Sequence, residues 1–444
     1  MTDTGTDELT AVIISVGHDK PVGDKPAPLA QVAGLRLIER LIKSVRHCGA
    51  GRLRLVVGPD SSGVVEVARD VWPENGTFKV VEVDSSASDS DALRAAVTGD
   101  DRQVLVLFAD TTFSLNILQG LLQDGLGDRR ALVAGDSRRF AGLAMLTGKL
   151  AGSLSAGLTL AEALGRAKEV GEIGYRPLGN SFTHRIAEKE DIQKAEKMHM
   201  KALRRPGDGI ISRLLNRPVS LFLTRHVFLR LPLTPNHITF LAGVIGWAAI
   251  VIMFLWPGYW WVLLGAFLFH ISSVLDGCDG EVARLRFQFS RFGEWFDNVL
   301  DEFNNAAFIA GIGVGAYLAG GHPAYAWAAG FYFLAIAVCD SASFHQLVYR
   351  WGGTGNFAKF QWFFQKPESG PPPDPTAMPQ KRSLSSYLMD LPRRDFYIFV
   401  LLILAAVDCL LYGFWLAVAV GAALFVLGIL QWIHQIKHPK GRTS

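Results

Sequence analysis

Among the stretches of this chain that carry no charged residue over a length that matters are Ile238–Trp256, ITFLAGVIGWAAIVIMFLW, and the run FWLAVAVGAALFVLGILQWI from Phe414 to Ile433. A helix rises about 1.5 Å per residue, so about 20 apolar residues cross the roughly 30 Å hydrocarbon layer of a bilayer. Inside that layer every backbone N–H and C=O must be satisfied within the segment, and a continuous apolar run does so as a helix. The same reading along the chain from residue 236 predicts six spans: Ile238–Trp256, Tyr259–Leu275, Arg291–Gly321, Ala324–Arg350, Phe396–Tyr412 and Phe414–Ile436. The turns between them near Pro257–Gly258, Gly320–Pro323 and Gly413 hold no Lys or Arg. Arg284, Arg286, Arg291, then Arg350, Lys359, Lys366, Lys381, Arg382, Arg393 and Arg394, then Lys437, Lys440 and Arg442 all fall on the other side. Basic loops stay in the cytoplasm, so both termini are expected there, in a multi-pass protein of the cell membrane.

The first 200 residues have a different texture. Short apolar runs (AVIISV at 11–16, LRLVV at 53–57, VLVLFAD at 104–110) alternate with amphipathic stretches such as LIERLIKSV at 37–45, the pattern of an α/β domain with a largely parallel, Rossmann-like sheet. The predicted organisation is therefore a cytosolic α/β domain over 1–200, a connecting and interfacial segment over 201–235, and an all-α six-helix transmembrane domain over 236–444. Glu188–Arg205 reads as a charged connecting helix, and 207–231, with Arg213, Arg217, Arg225 and Arg230 among Leu, Val and Phe, as a helix lying on the membrane surface. The piece SGPPPDPTAMPQ at 369–380 reads as a loop. The opening MTDTGTDELT has no signal-peptide pattern, and four scattered cysteines indicate neither a disulfide framework nor a zinc site. With 44 Lys+Arg against 41 Asp+Glu, the totals do not describe a nucleic-acid binder.

Acids inside membrane helices are expensive and default to function. In DGCDGEVARLRFQFSRFGEWFDNVLDE, Asp276 and Asp279 are three apart and Asp297 and Asp301 four apart, so each pair shares one face of its helix. Two such helices facing each other bring four carboxylates together, which calls for divalent cations; all-oxygen ligands suit Mg²⁺, Mn²⁺ or Ca²⁺, with room for two ions. Gly280 and Gly293 allow close backbone approach, and Arg284 is placed to clamp phosphate.

These residues, Asp276-x-x-Asp279-Gly280-x-x-Ala283-Arg284 followed after eight residues by Gly293-x-x-x-Asp297-x-x-x-Asp301, resemble the signature of the CDP-alcohol phosphotransferases at every specified position. The resemblance covers 207–436 and includes the Thr-Pro-Asn of LTPNHIT at 233–239. It implies six transmembrane helices, a homodimer, and transfer of the phosphoalcohol half of a CDP-alcohol to a hydroxyl acceptor with release of CMP. It implies further that Asp276, Asp279, Asp297 and Asp301 hold Mg²⁺ or Mn²⁺, that Asp301 deprotonates the acceptor, and that Asn236, Gly280, Ala283, Arg284 and Gly293 bind the CDP-alcohol. A narrower resemblance links RRPGDGIISRLLNRPVSLFL at 204–223, and LPRRDFYIFVL at 391–401, to the di-myo-inositol-phosphate-phosphate synthases, which join CDP-inositol to inositol 1-phosphate. In that reading Arg213 and Arg217, one turn apart, hold the acceptor phosphate; the alternative is a basic helix resting on anionic lipid. Glu302 and Asn304–Asn305 follow Asp301 where the inositol enzymes have Arg and a later acid, so the alcohol stays open.

Residues 11–45, with Lys25-Pro26 and VAG-x-x-LIE at 32–39, resemble the opening of a sugar-phosphate nucleotidyltransferase, and Asp110 sits where that family places a metal-binding acid. The loop SVGHDKPVGDK lacks the Gly-rich phosphate cradle, and Arg185 and Ala187 stand where an Asp-x-Asp would close the site. The domain is therefore read as catalytically degenerate, with scaffold, dimer contact or regulation as its remaining roles. His18 and Asp19 are read as loop residues. His270 and Asp340 are read either as cavity lining or as internally paired, and Trp256, Tyr259–Trp261 and Tyr412–Trp415 as interfacial anchors. Two alternatives to a soluble CDP-polyol substrate stand beside the main reading: CDP-diacylglycerol, giving a phospholipid synthase, and a cation transporter using the intramembrane carboxylates.

Overall fold

A computed structural model describes residues 9–73, 76–136, 139–168, 173–204, 208–256, 258–355, 357–365 and 393–438. The expected loop at 369–380 and the basic residues Lys366, Lys381, Arg382, Lys440 and Arg442 lie outside them. The chain forms two compact units that divide, apart from short stretches, between Leu203 and Arg204.

The first unit is a seven-stranded sheet: β1 (Leu9–Ile14), β2 (Arg52–Val57), β3 (Thr77–Glu82), β4 (Gln103–Phe108), β5 (Ala131–Asp136), β6 (Arg139–Thr147) and β7 (Ile173–Arg176), in the order β7-β5-β6-β4-β1-β2-β3. β1 pairs in parallel with both β2 and β4, and β6 alone runs antiparallel, against β4 and β5. The expected largely parallel sheet is thus present. All six residues of β1 are buried because helices cover both faces. Ala11, Ile13, Leu53, Leu55, Leu105 and Leu107 pack with the helices Leu37–His47, Ser62–Val71 and Leu115–Asp124, whereas Val12, Ile14, Val56, Val104 and Val106 pack with Asp89–Ala96, Gly148–Ser153 and Leu160–Ala167. The period of two along each strand deals successive side chains to the two cores. The charged helix expected at Glu188–Arg205 runs Lys189–Ala202.

Among the described residues the second unit has the helices α1 (Pro235–Leu255), α2 (Tyr259–Arg286), α3 (Arg291–Leu318), α4 (Ala324–Arg350), α5 (Arg394–Ala406) and α6 (Leu410–Lys437). Four of them, α1, α2, α4 and α6, are long and apolar enough to cross a membrane, which marks a membrane protein. α3 falls short in hydropathy because Asp297, Asp301, Glu302, Asn304 and Asn305 fall within it, and α5 is 13 residues long. Trp247, Trp260, Trp327, Leu334, Tyr412 and Leu416 stand exposed on the outside, as lipid-facing groups do.

Two predicted boundaries move. α2 continues eleven residues beyond Leu275, so Asp276, Asp279 and Arg284 lie on one uninterrupted helix. The turn expected at Gly413 falls instead at Val407–Cys409, where Asp408 takes φ 57°. Gly413 lies inside α6, where a Cβ would come within 2.7 Å of Leu401 and 2.8 Å of Leu404; the glycine marks a close helix approach and not a bend.

Ahead of α1 the chain is helical from Ser212 to Phe228, with π-type turns at Ser212–Asn216 and Thr224–Phe228 around Arg217–Leu223. A helix is present over the predicted segment, with apolar side chains outward and small polar ones inward. Leu214 is 75% exposed and Phe222 58%, while Ser220 and Thr224 are buried.

Candidate functional site

α1 starts on a proline at its first position, with Thr234 and His237 exchanging cap hydrogen bonds. That start puts Asn236 in the first turn and Thr239 at the beginning of the second. α3 starts on Ser290, whose hydroxyl accepts the N–H of Gly293 at 2.8 Å, and one turn further on comes Asp297. These two helix starts and the C-terminal part of α2 line a cavity of about 600 Å³. Asn236, Gly280, Ala283, Arg284 and Gly293, the five residues expected to bind the CDP-alcohol, all line it, together with Thr239, Asp279 and Asp297. Gly293 has no room for a side chain, since a Cβ would sit 2.7 Å from Asn236 Oδ1 and 2.8 Å from Ser290 Oγ.

Asp276, Asp279 and Asp297 each offer an oxygen, and the three oxygens lie within 4.8 Å of one another. Asp279 is 7% exposed and accepts a hydrogen bond from the Thr239 hydroxyl. Asp297 Oδ1 is buried with no hydrogen-bond partner. An orphaned carboxylate oxygen beside two further carboxylates costs energy unless a cation completes it. The donor set, all oxygen and all anionic, fits a hard divalent cation such as Mg²⁺ or Mn²⁺.

Asp301, expected in the same cage, is placed differently: its carboxylate pairs with Arg394 Nη1 at the start of α5. The other arm of the same guanidinium, Nη2, meets Asp276 Oδ2 at 2.9 Å. Arg394 therefore bridges the cation cluster and the expected base. The sequence shows Arg394 only as a basic loop residue within LPRRDFYIFVL, because nothing local to 391–401 shows that α5 returns to the α2–α3 acids.

Arg213 and Arg217 do not form a matched pair. Arg217 lies between two carboxylates, with Nε and Nη2 on Asp208 at 3.1 and 3.2 Å and Nη1 on Glu281 at 2.8 Å. The guanidinium expected to hold an acceptor phosphate is thus already fully engaged. Of the two residues left open, His270 is buried with neither ring nitrogen hydrogen-bonded, and Asp340 is half-buried on α4.

In the first unit, His18 is not a plain loop residue. It is 6% exposed, stacks on Phe108 at a centroid distance of 4.0 Å, and joins Asp89 (Nε2 to Oδ1, 3.0 Å) to Asp110 (Nδ1 to Oδ2, 3.1 Å). Antiparallel pairing of Thr183–Arg185 with Thr111–Phe113 sets Arg185 beside Thr111, and its Nε donates to Asp110 at 2.5 Å. Burial alone would lower the pKa of His18, but hydrogen bonds to Asp110 and Asp89 outweigh it and raise the ring to about 9. Two cations thus lie against the carboxylate that the nucleotidyltransferase resemblance assigns to a metal.

Residues 232–358 match the family described as CDP-alcohol phosphatidyltransferase. Over 340 residues the chain is 29% identical to a "Bifunctional IPC transferase and DIPP synthase" of Aquifex aeolicus, covering 68% of this chain and 76% of that one. Over 367 residues it is 29% identical to the protein of the same description from Rubrobacter xylanophilus, covering 73% and 82%. Among solved structures, the inositol-1-phosphate CTP transferase from T. maritima aligns with 44% of this chain and 97% of its own, at 15% identity and a TM-score of 0.36. The stretch that matches this family, 232–358, contains the converging aspartates and both helix starts of the cavity.

Proposed function

We propose that the protein is a metal-dependent CDP-alcohol phosphotransferase that moves the phosphoalcohol group of a soluble CDP-polyol to the hydroxyl of a phosphorylated acceptor and releases CMP. The observation that carries this reading is the convergence of Asp276, Asp279 and Asp297, with its orphaned oxygen, on a cavity lined by all five residues expected to bind the nucleotide. The relatives described as DIPP synthases support an inositol-phosphate-like pair of substrates over CDP-diacylglycerol.

Held by Asp276, Asp279 and Asp297, one or two divalent cations would polarise the diphosphate for displacement. The chain's own residues do the rest. Arg284 donates to phosphate oxygens, and Gly280 and Gly293 let those oxygens approach the backbone of α2 and α3. Asp301, oriented by Arg394, accepts the proton of the attacking hydroxyl. In this reading Arg213, exposed on the segment ahead of α1, meets the acceptor's phosphate.

In this reading all six helices cross the membrane, both termini and the cavity face the cytoplasm, and the protein works as a homodimer. The α/β unit keeps the nucleotidyltransferase-like architecture without its chemistry, because Arg185 and His18 neutralise Asp110. Purified full-length protein in detergent, given CDP-inositol, inositol 1-phosphate and Mg²⁺ or Mn²⁺, should release CMP in proportion to acceptor consumed. Release that persists unchanged in excess chelator, or that occurs only with CDP-diacylglycerol, would refute the assignment.

A further inference from the structure

The segment ahead of α1 is tied to the membrane helices at two places, and each tie is next in sequence to a residue of the site. At the first, Glu281 of α2 is completely buried, at 0% exposure. Its Oε1 accepts from Arg217 Nη1 at 2.8 Å and from the Ser220 hydroxyl at 2.7 Å, and its Oε2 accepts from the Thr224 hydroxyl at 2.7 Å. Asp208 holds the opposite edge of the Arg217 guanidinium. At the second, Asp395 Oδ2 accepts the backbone N–H of Ser212 at 2.8 Å, and Gly209 packs so closely there that a Cβ would meet Asp395 at 2.9 Å and Arg393 at 3.0 Å.

Residues two apart on a helix point about 200° away from each other at 3.6 residues per turn. Glu281 therefore faces away from the cavity on the turn that presents Asp279 to it, and a clamp on Glu281 fixes the rotation of that turn. Asp395 adjoins Arg394, whose two arms hold Asp276 and Asp301. We infer that residues 208–224 form a brace whose two anchors, Glu281 and Asp395, are positioning residues for the carboxylate cluster. The basic segment is thus not a pair of phosphate clamps: Arg217 serves as the ionic bolt between segment and α2, while Leu214 and Phe222 face outward. Buried groups that satisfy one another completely are worth retaining for geometry, since loss of one strands the others.

This inference rests on the proposed role of the three aspartates as cation ligands, so its test reads cation binding directly. The Kd for Mn²⁺ is measured by electron paramagnetic resonance on intact detergent-solubilised protein, with CMP release followed in parallel. Partners of metal ligands change affinity by about 10- to 100-fold when removed. Glu281→Gln, and the Ser220→Ala/Thr224→Ala pair should Glu281→Gln not fold, are expected to weaken Mn²⁺ in that range. Asp395→Ala should do the same, and Asp395→Asn, whose amide oxygen still accepts the Ser212 N–H, should restore most of the affinity. Gly428→Ala, which forces a Cβ to within 3.0 Å of Cys339 on the far helix pair, serves as a purely destabilising control with unchanged Mn²⁺ affinity. Unchanged affinity in a folded Glu281 or Ser220/Thr224 variant, or an equal loss in Gly428→Ala, would overturn the brace. Wild-type protein whose Mn²⁺ affinity depends on the brace in these variants but which releases no CMP would instead refute the proposed reaction and leave the brace standing.

Discussion

Raising the pH from 6.5 to 9 should loosen the α/β unit by an amount that its structure fixes. His18 is buried between Asp89 and Asp110, and its folded pKa of about 9 lies above the ordinary 6.5. A group raised on folding contributes stability that is complete below its unfolded pKa and is lost as pH climbs through its folded one, so the loss falls between pH 6.5 and about 9. At 1.36 kcal/mol for each tenfold difference in proton affinity, the loss is roughly 3 kcal/mol. The charges facing His18 are Asp89, Asp110 and Arg185, whose Nη2 is 3.3 Å from Nδ1; this nearby positive charge makes 3 kcal/mol an upper figure. For a unit of about 200 residues, roughly 2–4 °C of Tm per kcal/mol gives a fall of about 6–12 °C. Two other groups bracket the window. Burial, with help from Arg40, holds His199 well below its usual range, which costs stability only on the acid side; burial pushes the Cys48 thiol up to about 12, which costs stability only as unfolded thiols ionise near the alkaline end. Thermal unfolding of the α/β unit at half-unit pH steps, for wild type and His18→Gln, isolates the histidine by difference. A variant with the same slope as wild type between pH 6.5 and 8.5 would refute the reasoning, because the aspartates would then not be holding the imidazolium.

Asp279→Asn and Asp297→Asn should each lower CMP release by at least about 100-fold while the protein elutes as the same folded species, because each removes a charged ligand from the cluster. Gly293→Ala places a Cβ against Asn236 Oδ1 and the Ser290 cap, so it should cost about 1 kcal/mol of thermal stability and raise the KM for CDP-alcohol more than that for the acceptor. Single cysteines at Gly258, Gly320 and Asp408, in a cysteine-free background, should react with an impermeant reagent from outside the cell; labelling from the cytoplasm alone would invert the topology. The α/β unit given CTP, inositol 1-phosphate and Mg²⁺ should release no pyrophosphate, and release dependent on both substrates would show that Arg185 does not silence Asp110.

The parts of this molecule legible in the sequence were those written in short range. Strand alternation exposed the α/β sheet, and the three- and four-residue spacing of the aspartates placed each pair on one helix face, which is how Asp276, Asp279 and Asp297 meet. What stayed hidden depends on residues brought together from far apart. Arg394 reaches Asp301 across 93 positions of chain and Arg217 reaches Glu281 across 64, and no local pattern encodes either pairing. Arg217 also misleads, because an arginine in an amphipathic run looks like a surface charge until its inward partners are known. Gly413 misleads in the same way: a glycine between two apolar runs suggests a bend, and the structure uses it for contact.

Both margins of the seven-stranded sheet are poor templates for another strand. β3, at one margin, presents Thr77, Lys79 and Glu82 along a partly exposed strand, and β7, at the other, is four residues long. Charges and brevity are the ordinary ways by which a sheet discourages a second chain from adding to its unpaired N–H and C=O groups. Self-association by sheet extension is accordingly disfavoured in the α/β unit, and the homodimer proposed here should be joined through its helices. Removing residues 1–203 should therefore leave the oligomeric state in detergent unchanged, whereas reversing Lys79 and Glu82 to apolar residues would create a sticky margin and bring aggregation that the native chain avoids.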